Sequence, residues 1–167
     1  PAVLMEDVAD AAVGTNTLAA VGRDGALYLW QDGGPVQVGT GSVRVFFAGG
    51  CLFTLQEDGA LLRWDVADSR PVPLSGPAVE VAGAGDGVLI LLEDGTCLAA
   101  EAGPEGLLSP APITGGVAGL CRDGLWKEDG RLYHARIADG VLTLEPAAEG
   151  VAAAVSPRCC LTEDGVL

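Results

Sequence analysis

The chain has 167 residues, 49% of them apolar, enough for one domain with its own core. Its formal net charge is −14 with only nine Lys and Arg; without a basic stripe to displace phosphate counterions, nucleic acid and anionic lipid are excluded as expected partners. No run of 18 apolar residues is present, so no membrane-spanning helix is predicted, and the opening PAVLMEDVAD reads as lacking the basic and apolar regions of a secretory leader.

The first predicted strand is VADAAVG, 8–14. A second, LAAV at 18–21, is wholly apolar, which suits a strand covered on both faces. Asp24-Gly25 follows, and then ALYLW at 26–30. Asp-Gly between two apolar runs predicts a two-residue type I′ hairpin with positive φ at both positions. A short piece, PVQV at 35–38, opens on Pro and fits an edge strand or a connection.

The same order then recurs along the chain. VRVFFAG (43–49), LFTL (52–55), Asp58-Gly59 and ALLRW (60–64) are followed by PVPL (71–74). VEVAGAG (79–85), VLIL (88–91), Asp94-Gly95 and TCLAA (96–100) lead to PAPI (110–113). VAGLC (117–121) precedes LWKEDGRLYHA, and VAAAV (151–155) precedes the final CLTEDGVL. The turn glycines Gly25, Gly59, Gly95, Gly130 and Gly165 are spaced by 34, 36, 35 and 35 residues. A period that steady marks a repeat architecture.

A unit of this size cannot bury enough apolar surface to offset its ordering entropy, so it must stack on its neighbours. Small antiparallel sheets covered on both faces are propeller blades. The expected fold is all-β, a complete or partial β-propeller of about five three- to four-stranded blades of about 35 residues. The whole chain, 1–167, reads as one propeller domain or segment, with approximate repeats 1–34, 35–70, 71–109, 110–144 and an incomplete 145–167. Because the last phrase stops inside its hairpin, the chain is read as part of a longer propeller rather than as a closed five-bladed ring.

The stretch PVPLSGPAVEVAGAGDGVLILLEDGTCLAA resembles the repeat of the regulator of chromosome condensation family, in length closest to the short-bladed branch that includes β-lactamase inhibitor protein II. The matching features are Pro71 and Pro73, the Val79–Gly83 strand, the apolar Val88–Leu92 strand, Asp94-Gly95, and Trp30 and Trp64. Gln31 and Asp65 stand where the family follows its Trp with Gly, and Ala100 and Ala135 replace the Trp in copies three and four. The resemblance implies the fold and no named activity.

No catalytic constellation is legible. The chain has one histidine, His134, and five cysteines without a CxxC, so neither a His-based triad nor a zinc site is expected. Cys51, Cys97, Cys121 and Cys160 lie in apolar runs and read as small buried hydrophobes. GAGDG at 83–87 precedes an apolar strand, not a helix, and reads as a hairpin turn rather than a phosphate loop. Glu57-Asp58, Glu93-Asp94, Glu128-Asp129 and Glu163-Asp164 recur once per unit, and their Asp is explained by the turn.

No enzyme, metal or cofactor is therefore expected. The candidate partner-binding residues are Trp30, Arg63, Trp64, Trp126, Tyr133 and His134, since Trp and Tyr dominate interface hot spots, although the repeat position of Trp30 and Trp64 favours packing between blades for those two. Arg63 and His134 share one repeat position with Leu29 and Ala99, a variation that predicts exposure. The segments 31–42 and 101–112 read as irregular loops suited to recognition. The function expected is a non-enzymatic scaffold for another protein, with the acidic charge favouring a basic one; a glycan-binding propeller with exposed aromatics at equivalent positions is the alternative. The compartment is left open.

Overall fold

The computed structural model describes residues 5–14, 16–31, 34–65, 68–103, 106–162 and 164–165. The chain divides into two compact units, Pro1–Ser75 and Gly76–Leu167.

In the first unit, β1 (Val8–Val13), β2 (Leu18–Gly22), β3 (Leu27–Gln31) and β4 (Gly34–Gly39) form an antiparallel sheet in chain order. A second sheet of the same order holds β5 (Ser42–Ala48), β6 (Cys51–Gln56), β7 (Leu61–Asp65) and β8 (Asp68–Pro71). In the second unit, β9 (Ala78–Ala84), β10 (Gly87–Leu92), β11 (Cys97–Gly103) and β12 (Gly106–Pro112) make one sheet. The next sheet consists of β13 (Val117–Cys121), β14 (Gly124–Lys127), β15 (Leu132–Ala138) and β16 (Val141–Ala148). A two-stranded sheet follows, β17 (Val151–Ser156) with β18 (Cys159–Thr162). These are five β-propeller blades, numbered 1 to 5 below.

The second strand of a blade is the most buried, as its apolar composition requires. Ala19, Val21, Phe53, Val88, Leu89 and Ile90 are all sealed from solvent. Between blades 1 and 2, Ala19, Val21, Leu27 and Leu29 pack on Val45, Leu52 and Trp64. In the second unit, Leu89 and Cys97 of blade 3 pack with Leu120, Leu125 and Ile137 of blade 4. Burial of these apolar faces between sheets is the main stabilising term.

The segments 31–42 and 101–112, expected as irregular loops, are corrected to strand: they hold β4 and β12. The prolines mislead there. Pro35 pairs with Trp30 and Pro112 with Leu98, but both lie on the fourth strand, an edge where a missing N–H costs nothing. Residues 32–33 and 104–105 of these segments lie outside the described residues.

The repeated Asp-Gly turns are corrected as well. Gly25, Gly59, Gly95, Gly130 and Gly165 have φ of 75–83°, but none of the preceding aspartates has positive φ. Gly25 N–H donates to Gly22 O at 3.0 Å, and Gly22 N–H donates to Ala26 O at 2.8 Å. The loop is therefore three residues long, an ordinary turn followed by a left-handed glycine bulge. The side chain explains why the Asp recurs. Asp24, Asp58, Asp94 and Asp129 each accept the N–H of the residue two further on, at 2.8–3.1 Å. The Asp94 carboxyl is held below the ordinary carboxylate pKa by this bond from Thr96. A true two-residue hairpin with both φ positive occurs instead at Asp139-Gly140, at 51° and 73°, between paired Ala138 and Val141.

A bulge recurs in every blade. The first strand of every blade carries a bulge at its second residue: Ala9, Val43, Val79, Ala118 and Ala152 are each skipped by the pairing. All five are exposed. A bulge bends the strand and re-aims the side chain that follows. In blades 1 and 3 that side chain is a carboxylate, and it reaches the neighbouring blade. Asp10 Oδ2 accepts Val45 N–H at 2.9 Å, and Glu80 Oε2 accepts Leu120 N–H at 2.8 Å.

Candidate binding surface

The six candidate residues fall into two groups. Trp30, Arg63 and Trp64 belong to blades 1 and 2; Trp126, Tyr133 and His134 belong to blade 4. The structure places them very differently.

Trp64 is buried, 7% exposed, in the core between blades 1 and 2. Its ring lies against Gly39, where a side chain would collide with it. Its Nε1–H donates to Thr54 Oγ1 at 2.8 Å. Thr54 is itself sealed, and its hydroxyl donates to Gln56 Oε1 at 2.8 Å. Ser42 Oγ donates to the same oxygen at 3.1 Å, and Gln56 Nε2 donates to the Thr40 and Gly41 carbonyls at 3.2 and 3.1 Å. The network satisfies each buried side-chain group, which is the condition for tolerating polar atoms in a core.

Trp30 occupies the corresponding place in blade 1, paired with Leu18 as Trp64 is with Leu52. Ala20 stands where blade 2 has Thr54, and among the described residues the shielded Trp30 Nε1 has no hydrogen-bond partner. Arg63 is half-buried, with its Nε shielded from solvent. The expectation that variation at this repeat position means exposure is thus corrected: Leu29 and Ala99 are buried, Arg63 is half-buried, and of the four only His134 is exposed. Equivalent exposed aromatics, on which the glycan-binding alternative rested, are not what Trp30 and Trp64 provide.

Blade 4 brings its three residues together on β14 and β15. Leu125 pairs with Tyr133, Trp126 with Leu132, and Gly124 with His134. Tyr133 and Lys127 share one face; Lys127 Nζ sits 5.5 Å from the Tyr133 ring centre and donates to Thr114 O at 3.2 Å. The cation rests on the negative face of the ring. Trp126 is half-buried on the other face, over Gly119 and against the cluster of Cys121, Leu132 and Val151.

Strand alternation carries that second face outward. His134 and Arg136 are exposed on β15, opposite Glu145 and Thr143 on β16, with Val141 63% exposed beyond them. The result is a sheet surface of both charge signs with an apolar end. Sequence reasoning missed Arg136, although a signal existed: blade 4 carries four of the nine Lys and Arg residues.

Cys97 and Cys121 are buried, and burial first, the Glu80 charge second, pushes both thiols up to about 12. Cys51 and Cys160 are only half-buried and Cys159 is exposed. Among the described residues, no group of three His, Cys, Asp or Glu side chains could hold a metal ion, and no helix is long and apolar enough to cross a membrane. GAGDG forms the β9–β10 hairpin, as expected.

No protein-family model matches the sequence, and no curated protein matches it. Solved structures do. Human WBSCR16 superposes with a TM-score of 0.62 at 16% identity, covering 88% of this chain and 54% of that one. Yeast RCC1 (Prp20) bound by Kap60 gives 0.65 at 14% identity, covering 86% and 50%. Prp20p of Saccharomyces cerevisiae, whose structure was described with its binding to Gsp1p and histones, gives 0.59 at 14%, covering 81% and 48%. The fold is the β-propeller of these structures, and the chain spans about half their length.

Proposed function

We propose that the chain is a non-enzymatic scaffold that recognises another protein, and that blade 4 supplies the contact. The observation that carries this reading is the exposed stripe of His134, Arg136, Thr143 and Glu145 on β15 and β16. Its side chains stand on a paired sheet rather than on a loop, so they are held in register before a partner arrives, which lowers the ordering cost of binding. Mixed charge favours one orientation and one partner over raw affinity. The net charge of −14 steers basic proteins toward the molecule. Half-buried Trp126 stands on the same face as the stripe and Tyr133 on the opposite one.

The similar propellers support the reading in kind: yeast Prp20 is bound by Kap60, and Prp20p was described with its binding to Gsp1p and histones. Asp58, Asp94 and Asp129 hold their own turns and are committed to backbone N–H groups. Hydrogen exchange tests the proposal: with a captured partner bound, amides of β15 and β16 are expected to gain protection. Protection confined to blades 1 and 2 would move the site elsewhere.

A further inference from the structure

The chain is unusually rich in Asp-Gly, the dipeptide whose aspartate can rearrange through a cyclic imide. The backbone decides which copies can react. We propose that Asp139-Gly140 is a site of spontaneous isoaspartate formation, and that the repeated turns are built to resist it.

The reaction needs two free partners. The glycine amide nitrogen must lose its proton and attack the aspartate Cγ. A C–N bond forms, the carboxyl hydroxyl leaves as water, and a five-membered succinimide results. Water then adds at either carbonyl. Addition at Cγ restores aspartate; addition at the main-chain carbonyl leaves the chain running through Cβ and Cγ. One water is lost and one regained, so no oxidant or cofactor enters.

In the repeated turns both partners are engaged. Asp24, Asp58, Asp94 and Asp129 each have a carboxylate oxygen fixed on the N–H two residues ahead. The nitrogens of Gly25, Gly59, Gly95 and Gly130 donate to carbonyls three residues back, at 2.9–3.0 Å. Gly165 N–H is held in the same way by Thr162 O, at 2.9 Å. Asp86-Gly87 and Asp123-Gly124 are clamped differently. Gly87 and Gly124 lie in the central strands β10 and β14, and Asp86 and Asp123 each donate and accept a backbone bond across the sheets.

Asp139-Gly140 has none of these restraints. Both residues are exposed, in a two-residue turn. Among the described residues, neither the Asp139 carboxylate nor the Gly140 N–H makes a hydrogen bond. Asp139 also holds a φ of 51°, a left-handed conformation that a non-glycine residue adopts at a cost. Rearrangement removes that constraint and adds one methylene to the turn, which disturbs the Ala138–Val141 pairing.

The test compares Asp139→Asn with Asp94→Asn in the full chain. Each variant creates Asn-Gly, so the intrinsic chemistry is equal, and deamidation is read directly as a gain in intact mass. In native buffer at neutral pH, residue 139 is expected to react roughly tenfold or more faster than residue 94, which must first open its turn. In strong denaturant the two rates are expected to converge. Aged wild-type protein should show isoaspartate at 139 ahead of 24, 58, 94 and 129. Equal native rates, a faster residue 94, or a residue 139 that reacts only in denaturant would each overturn the proposal.

Discussion

Glu80 Oε2 accepts the Leu120 backbone N–H at 2.8 Å, joining the first strand of blade 3 to the first strand of blade 4. Asp10 and Val45 repeat the arrangement between blades 1 and 2. A carboxylate just after the bulge thus serves as a fixed acceptor for a neighbour's backbone. Removing it leaves a part-buried N–H without a partner. Glu80→Ala is expected to lower stability to denaturant by about 1–2 kcal/mol, and Glu80→Gln by less. An unchanged midpoint for Glu80→Ala would mean that this link contributes nothing.

The Trp64–Thr54–Gln56 network gives a second expectation. Thr54→Val keeps the shape and removes the hydroxyl that serves both neighbours. It is expected to cost about 1–3 kcal/mol, because the Trp64 indole N–H then has no acceptor in a sealed site. Thr54→Ser keeps the bond and is expected to cost less. Equilibrium unfolding followed by tryptophan fluorescence distinguishes the two.

Much of this fold is written in the sequence. The 35-residue period, the apolar second strand and the position of each first strand are all legible in the residues themselves, because burial on both faces demands long apolar runs. The turn type is not. Asp94 and Asp139 both precede Gly, yet one folds its side chain onto Thr96 while the other adopts positive φ, a choice made by the strands around them. The bulges at Ala9, Val43, Val79, Ala118 and Ala152 fall on Ala three times and Val twice, types too common along these strands to mark the position. The candidate site is half legible. Blade 4 holds three of the named residues, Trp64 stands in the core as its repeat position suggests, and Arg136 is hidden by its ordinary surroundings.

The buried thiols set a limit at high pH. Cys97 and Cys121 have folded pKa values raised from 9.0 to about 12. A raised thiol pKa means the native state resists the charged form. Its contribution is fully present below pH 9, and is lost as pH rises from there toward 12. Stability is expected to fall across that window, and less steeply in a Cys97→Ala/Cys121→Ala variant. Under native conditions a thiol reagent should label exposed Cys159 first, with Cys97 and Cys121 last.

Acid acts on the turns with the opposite sign. The Asp94 carboxyl is held below its ordinary value by Thr96, so its contribution is present above that value and is lost as pH falls through the folded one. Asp94→Asn keeps a side-chain acceptor but cannot titrate. It is expected to fold normally and to show a shallower acid transition than the parent. An unchanged acid limb would remove the charge of this turn from the account.

Whether a protein partner docks on the exposed face of blade 4 is open to a direct test. The most direct measurement is paired affinity capture from the native source, with wild-type chain and a His134→Glu/Arg136→Glu variant whose unfolding curve matches the parent. A stoichiometric protein partner is expected on the wild type and absent from the variant. A partner held equally by both, or no partner on either, would contradict it.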